Sequence, residues 1–468
     1  MRLVEPGDLR RSDLIASLST ALDLTEGQPP GHAGRSTLIA MEIGRTIGMS
    51  DEDLAALYYG VLLKDLGCSS NSAKMAYLFG ADERRVKKDV KTVDWSKASR
   101  KASFAVKHVA PGGSPLEKAM RLALIAKEGE NGSRSLIKTR CQRGAEIIRH
   151  LQLPEASARA VEALDEHWNG KGHPYGKAGE EIPLAGRIAG LAQTVEVFHQ
   201  EFGRRPAVEI ALKRRGRWFD PDLVDVIAAL PRDADLWTRL ESDDWREALD
   251  SQTPYESARH VDEDELDRVC EGFARVVDAK SPWTAKHSSR VAEISVGIGE
   301  ELGLRGSMLR DLRRAGLLHD LGKLGLSNMI LDKPGRPTDE EFAQIQMHPD
   351  YSEQILSRIP LFSRLTEAAV SHHEKLDGSG YHRRLDGTQM PPAARILAVA
   401  DIYEALTADR PYRDGMPAEK VDAIMSGMVG PGLCGDCYEA LGRWVERTSI
   451  TSRVETQLEA IEQLHREL

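Results

Sequence analysis

The sequence predicts an all-α chain made of two tandem helical bundles joined by a helical connector. Three observations point there. Ala, Leu, Glu and Arg abound while aromatics make up only 5% of the 468 residues and β-branched runs are scarce, so helix propensity leads throughout. Apolar residues recur at steps of three and four, with no alternating strand of convincing length between them. The chain also repeats itself.

The repeat has two blocks. In the first, "GHAGRSTLIAMEIGRTIGM" and "LAALYYGVLLKDLGC" reappear as "KHSSRVAEISVGIGEELGL" and "LRDLRRAGLLHDLGK", with His32 standing 32 positions before Lys64 and His287 standing 32 before His319. In the second, every position from His348 to Asp401 lies 208 after its counterpart, a register held over 54 positions: "HPDYSEQIL" answers "RCQRGAEII", and "LDGSGYH" answers "WNGKGHP". Such a register marks a duplicated unit.

The elements follow in order. Val291, Ile294, Ile298 and Leu302 form one apolar stripe that ends at Gly303, and Leu309, Leu312 and Gly316 to Leu318 keep the same period up to Gly322, which suits a helix terminus. Thr338 and Glu341 read as a capping box that starts a helix, turns Phe342 and Ile345 inward and delivers His348 at its end. The predicted domains are residues 1–235, a helical connector over 236–262, a second bundle over 263–448 and a C-terminal helix over 449–468 carrying Val454, Leu458, Ile461 and Leu464 at helical spacing. That stripe reads as docked core before it reads as a dimer seam. The first copy carries an insertion between Cys68 and Arg140 rich in lysine and arginine, either a solvated face or a surface for an acidic partner.

Composition bounds the function. With 41% hydrophobic and 29% charged residues the chain is globular, and no apolar run approaches the roughly 18 residues that cross a bilayer, so a cytoplasmic location without membrane attachment is expected. Five cysteines make no disulfide framework, and the lone "CGDC" of Cys434 and Cys437 reads as incidental spacing. A net charge of −10 argues against general nucleic-acid binding, so a phosphate ligand needs a local basic cluster. A homodimer or a regulatory protein partner is compatible with the sequence.

The stretch "SHHEKLDGSGYH" carries the chemistry. A His pair alone would pass for a solvated helix end, but it stands with further ligand types in the same copy: His287, His319, Asp320, His348, His372, His373 and Asp401. Neutral imidazoles and carboxylates bind Fe, Mn or Zn, and seven of them exceed one ion's needs. Two divalent ions about 3.5–4 Å apart, sharing Asp320, would use them and activate water for in-line attack on phosphorus. Lys323, four positions after His319, would reach a phosphate oxygen on a helical path.

"HDLGK", "MHP", "HHEKLDGSGY" and "AVADIYEALTADRPYR" resemble the HD-GYP subgroup of the HD phosphohydrolases, over about residues 265 to 445. The resemblance implies tandem HD-type bundles and metal-dependent hydrolysis of cyclic di-GMP, with Fe or Mn as the metals. It makes His287, His319, Asp320, His348, His372, His373 and Asp401 metal ligands, Asp320 and Lys323 catalytic, and Gly380, Tyr381, Arg410 and Arg413 pocket-lining. Two departures stand out. His382 replaces the proline after Gly-Tyr, which predicts a looser turn and opens the choice of substrate to other cyclic dinucleotides or nucleotides. Trp283 stands where some members supply a Glu for a third metal, so two metals are expected. A nucleotide-responsive module without turnover is the reading of a different class.

The first copy has lost most ligands. Opposite His319, His348, His372, His373 and Asp401 stand Lys64, Arg140, Leu164, Asp165 and Gln193, while His32 and Asp65 remain. Ammonium and guanidinium groups offer no lone pair and repel cations. A copy without metals is expected, with Lys64 beside Asp65, kept for scaffolding or for sensing a ligand.

Overall fold

The computed structural model describes residues 9–95, 97–242, 245–254, 260–284, 286–409 and 414–449. Among them the regular elements are helices, accompanied only by isolated β-bridges, so the protein is all-α. No helix among the described residues is long and apolar enough to cross a membrane.

Contacts divide the chain into two compact units, Met1–Ala285 with Leu321–Leu361, and Lys286–Asp320 with Phe362–Leu468. The units do not follow the two copies written in the sequence. Leu321–Leu361 belongs to the second copy by register and to the first unit by packing.

In the first unit, Leu14, Ile15, Leu18 and Leu22 of the helix Arg11–Thr25 are fully buried. This helix packs on His32–Thr46 and also on the 3₁₀ turn Leu321–Gly325 and the helix His348–Leu356, which is why that segment joins the unit. A buried polar network reinforces it. The Glu83 carboxylate takes the Lys280 ammonium at 3.0 Å, the Ser327 hydroxyl at 3.1 Å and the Asn328 N–H at 3.0 Å. A buried carboxylate needs such a full set of donors.

The predicted connector is helical, as Asp235–Glu241 and Trp245–Ser251, but it is no free linker. Leu236, Trp237, Leu240, Trp245 and Leu249 are buried, with Trp245 packed on Gly31 and Gly34. The capping box forms as expected: the Thr338 N–H donates to Glu341 at 2.7 Å and the Glu341 N–H to Thr338 at 3.3 Å. The helix it starts, Asp339–Ile345, buries none of its residues, and Phe342 is exposed rather than turned inward. His348 does not end it. It opens the next helix, His348–Leu356, with Pro349 in the first turn, where a missing N–H costs little.

The second unit packs His287–Glu301 against Ser307–Leu318 and Pro392–Thr407, with Ser363–Val370 beside both of the latter. Val291, Ile294 and Ile298 are buried as the stripe predicts, and Gly303 adopts φ 85 at the helix end. Residues 435–449 form a further helix. The predicted stripe Val454, Leu458, Ile461 and Leu464 lies outside the described residues.

The copies share close backbone approaches. A Cβ on Gly67 would collide with the Arg140 carbonyl and one on Gly322 with the His348 carbonyl, so glycine is dictated at both matched positions. Gly322 therefore serves a close approach inside a 3₁₀ turn and does not end a helix. Further along, Asn169 N–H donates to Arg217 O at 3.0 Å, and Asp377 N–H to Pro431 O at 2.9 Å.

Candidate metal centre

Four elements of the second unit converge. His287 opens the helix His287–Glu301, while His319 and Asp320 follow the last turn of Ser307–Leu318. His372 and His373 follow Ser363–Val370, and Asp401 sits mid-helix in Pro392–Thr407. His287, His319, Asp320 and His372 are all buried. The Nε2 of His287 lies 3.3 Å from Asp320 and 3.3 Å from Asp401. The Nε2 of His319 lies 3.3 Å from Asp320 and 4.0 Å from Asp401, and that of His372 lies 3.8 Å from Asp320. Asp320 thus faces three imidazoles, as a shared carboxylate would.

The opposite ring nitrogens are engaged elsewhere. Nδ1 of His287 meets Glu404 at 2.5 Å, Nδ1 of His319 meets the Gly316 carbonyl at 2.7 Å, and Nδ1 of His372 meets the Ala369 carbonyl at 2.5 Å. A proton held on Nδ1 leaves the Nε2 lone pair facing the carboxylates, the arrangement that metal-binding histidines use. This donor set fits divalent ions. Burial disfavours a charged imidazole, yet the hydrogen bonds that His287 donates to Asp320, Asp401 and Glu404 hold it well above its usual value. Burial likewise opposes ionisation of Asp401, and the bond from His287 pulls it well below the usual carboxylate range. The pocket is built for positive charge.

The glycine turn borders this cluster. The His373 and Tyr381 rings lie 4.8 Å apart, and a Cβ on Gly380 would strike the Glu374 backbone. Burial pushes the Tyr381 hydroxyl up, so it stays a neutral donor. The turn is not loosened by His382. The Glu374 carboxylate accepts from the N–H groups of Arg383 at 2.7 Å, Arg384 at 3.1 Å and Leu385 at 3.0 Å, which clamps the loop without a proline. In the first copy Glu166 does the same for Tyr175 at 2.7 Å and Lys177 at 3.0 Å.

His348 and Lys323 lie on Leu321–Leu361, in the first unit. His348 is buried, with Nδ1 on the Ile345 carbonyl at 2.7 Å, the pattern of the other histidines. Lys323 lies in a 3₁₀ turn, because the helix stops at Leu318 and no helical path runs on from His319. Arg410 and Arg413 lie outside the described residues. Sequence reading missed Glu404 and Glu374, although both recur in the first copy as Glu196 and Glu166, a signal within reach.

The first copy keeps the frame and fills it with cations. His32 Nδ1 pairs with Glu196, which also takes Arg35 at 2.9 Å, but Nε2 faces the Lys91 ammonium at 3.4 Å. Lys64 pairs with Asp65, and Lys91 reaches Glu26 at 3.0 Å and Asp65 at 3.9 Å. Arg140 pairs with Asp165. Burial and the charges of Lys64 and Lys91 push His32 well below its usual value, so it is neutral. Glu26, Asp65 and Cys68 lie within 4.8 Å of one another, yet Lys87 stands 2.6 Å from the Cys68 carbonyl and 3.6 Å from Glu26. Burial also raises the Cys68 thiol, which keeps it protonated.

A helical bundle centred on an adjacent histidine and aspartate, with further histidines closing on them, defines the HD class of domain. The chain belongs to the HD-domain family, whose pattern matches residues 115–223 and 271–431, one stretch in each half. It is 42% identical over 430 residues to 3'3'-cGAMP-specific phosphodiesterase 3 of Vibrio cholerae, spanning 92% of this chain and 93% of that protein. The solved structure of a cyclic GMP-AMP specific phosphodiesterase of V. cholerae aligns with a TM-score of 0.64 at 38% identity, over 93% of this chain and 98% of that one. A cyclic di-GMP phosphodiesterase of Thermotoga maritima is 38% identical over 38% of this chain and 49% of its own length.

Proposed function

We propose that the protein is a metal-dependent phosphodiesterase that hydrolyses a cyclic dinucleotide to a linear one, with 3'3'-cGAMP preferred over cyclic di-GMP. One observation carries the preference. Likeness to the 3'3'-cGAMP-specific relative runs through both halves of the chain, whereas the Thermotoga cyclic di-GMP enzyme aligns with 38% of it. The expectation of cyclic di-GMP, drawn from the second copy alone, gives way for that reason.

In this reading His287, His319, Asp320, His348, His372, His373 and Asp401 hold two divalent ions, Fe or Mn. Bound ions of this kind supply a deprotonated water as nucleophile and offset charge on the phosphoryl oxygens. The chain's own groups do the rest. Asp320 is the shared carboxylate, Glu404 fixes the His287 ring, and the neutral Tyr381 hydroxyl donates to a substrate oxygen. Lys323, Arg410 and Arg413 receive phosphate and guanine edges, while Gly380 leaves room for the turn. The first copy, with Lys64 and Arg140 where the second has His319 and His348, holds no metal.

The test is a panel of 3'3'-cGAMP, cyclic di-GMP and cyclic di-AMP with anaerobically Fe- or Mn-loaded enzyme, products resolved by chromatography. The highest kcat/KM belongs to 3'3'-cGAMP, with a linear dinucleotide as product. Preference for cyclic di-GMP by tenfold would overturn the assignment, and binding of all three without turnover would favour a non-hydrolytic module.

Glu404 acts through His287. Glu404→Gln keeps a partner for Nδ1 but removes the charge, and we expect metal affinity to fall roughly 10–100-fold, read by competition against a chelator. Unchanged affinity would show that Glu404 does not set that ring.

A further inference from the structure

We propose that a cavity in the first unit, walled by the helices Glu83–Val90, Ala98–His108, Leu184–Phe202 and Arg204–Arg214, binds a nucleotide, a phosphate-bearing anion with an aromatic base. It encloses about 620 Å³. Small-molecule sites run to roughly 300–1,000 Å³, so one nucleotide fits comfortably.

Charge selects the ligand. Six cationic side chains, Lys88, Lys97, Arg100, Lys107, Lys213 and Arg214, face three carboxylates, Asp89, Asp94 and Glu201. Asp89 is engaged by His108 at 2.7 Å, and Glu201 lies 4.0 Å from Lys88. In a chain whose net charge is −10, this is a local reversal of sign, the condition a phosphate ligand imposes.

The base of the cavity is more specific than its rim. Lys97, Arg100, Lys107 and Lys213 are exposed, whereas Arg214 is only 3% exposed. Its guanidinium lies 3.8 Å over the Trp218 ring, and Nη2 reaches only the Val93 carbonyl at 3.4 Å. The Nε and Nη1 of Arg214 have no hydrogen-bond acceptor. Burial pulls the Arg214 pKa down and Asp94 only partly offsets it, yet the group stays cationic at neutral pH. Burying a guanidinium with two idle donors is costly, and a phosphate matched to its fork would relieve that cost.

Aromatic surface completes the site. Phe104, Phe198 and Phe202 line the cavity, with Phe104 stacked on His108 at 4.1 Å. Such faces stack on nucleobases of any sequence. The walls Glu83–Val90 and Ala98–His108 belong to the insertion between Cys68 and Arg140, which the second copy lacks. The site is therefore peculiar to the first copy, and it gives that copy a sensing role.

The test is binding, so it stands apart from the phosphodiesterase reading. Full-length protein is titrated calorimetrically with GMP, GDP, AMP and ADP, none of them a phosphodiester, and with guanosine and adenosine. At least one nucleotide binds saturably, its nucleoside at least tenfold more weakly. Arg100→Glu/Lys213→Glu, both at exposed positions, and separately Arg214→Met weaken binding at least tenfold, with thermal melts reporting the fold. Lack of saturation by all four nucleotides at millimolar concentration overturns the proposal. So does wild-type affinity in the double variant, or preference for a single-stranded oligonucleotide over the mononucleotides.

Discussion

Replacing Asp320 by alanine removes both metal and turnover. Its carboxylate faces the Nε2 atoms of His287 and His319 at 3.3 Å and that of His372 at 3.8 Å, which places it between three imidazoles. Loss of a shared ligand dismantles the centre and does not merely weaken it. We expect kcat/KM to fall by at least about 10³-fold, or about 4 kcal/mol at roughly 1.4 kcal/mol per decade, with metal content falling in parallel. Asp320→Asn, nearly isosteric, separates chemistry from folding: it keeps the bundle and still loses metal. An alanine variant with full activity would remove Asp320 from the mechanism.

The second large effect is on stability and falls in the other copy. Lys64 and Asp65 are both buried and paired, so Lys64→Leu leaves a buried carboxylate with Lys91, 3.9 Å away, as its remaining cation. Breaking a buried pair costs about 3–5 kcal/mol, and since Lys91 stays we expect the lower end, a fall in Tm of several degrees. The sign with pH follows from the carboxyl. Burial opposes its ionisation, but Lys64 and Lys91 hold Asp65 well below the usual carboxylate range. Its stabilising contribution is thus complete above the unfolded pKa of about 4 and is lost as pH falls below that toward the folded value. In Lys64→Leu the acid limb of stability flattens. Metal content per folded chain stays unchanged, and a loss of metal would contradict a metal-free first copy.

Much of this was legible in the sequence, for identifiable reasons. The helices followed from apolar steps of three and four, and the capping box at Thr338 formed because both of its partners are local. His287, His319, Asp320, His372 and Asp401 could be gathered because the duplicated register sets His319, His372 and Asp401 against changed counterparts and His287 and Asp320 against the retained His32 and Asp65, and those five converge. What was not legible depends on tertiary packing. Local pattern could not reveal that Leu321–Leu361 packs with the first unit, since that rests on burial against Arg11–Thr25 and on the distant Glu83. Spacing alone turns Phe342 inward, but the seven-residue helix Asp339–Ile345 buries none of its residues and has no inward face. Lys91 completes the cationic filling of the first copy, and it lies in the insertion, with no matched position to signal it. The turn at His382 is held by Glu374 through backbone N–H groups, whose identities no side chain encodes, so the recurrence of Glu374 as Glu166 was the one sign of the clamp in the sequence.

The central claim is that the later copy holds two ions and the earlier copy holds none. Anomalous X-ray diffraction from crystals of the full chain grown anaerobically with Mn tests it most directly. The account predicts two neighbouring anomalous peaks among His287, His319, Asp320, His372 and Asp401, and no peak beside Lys64 and Asp65. A peak in the earlier copy, or none among the later histidines, would contradict it.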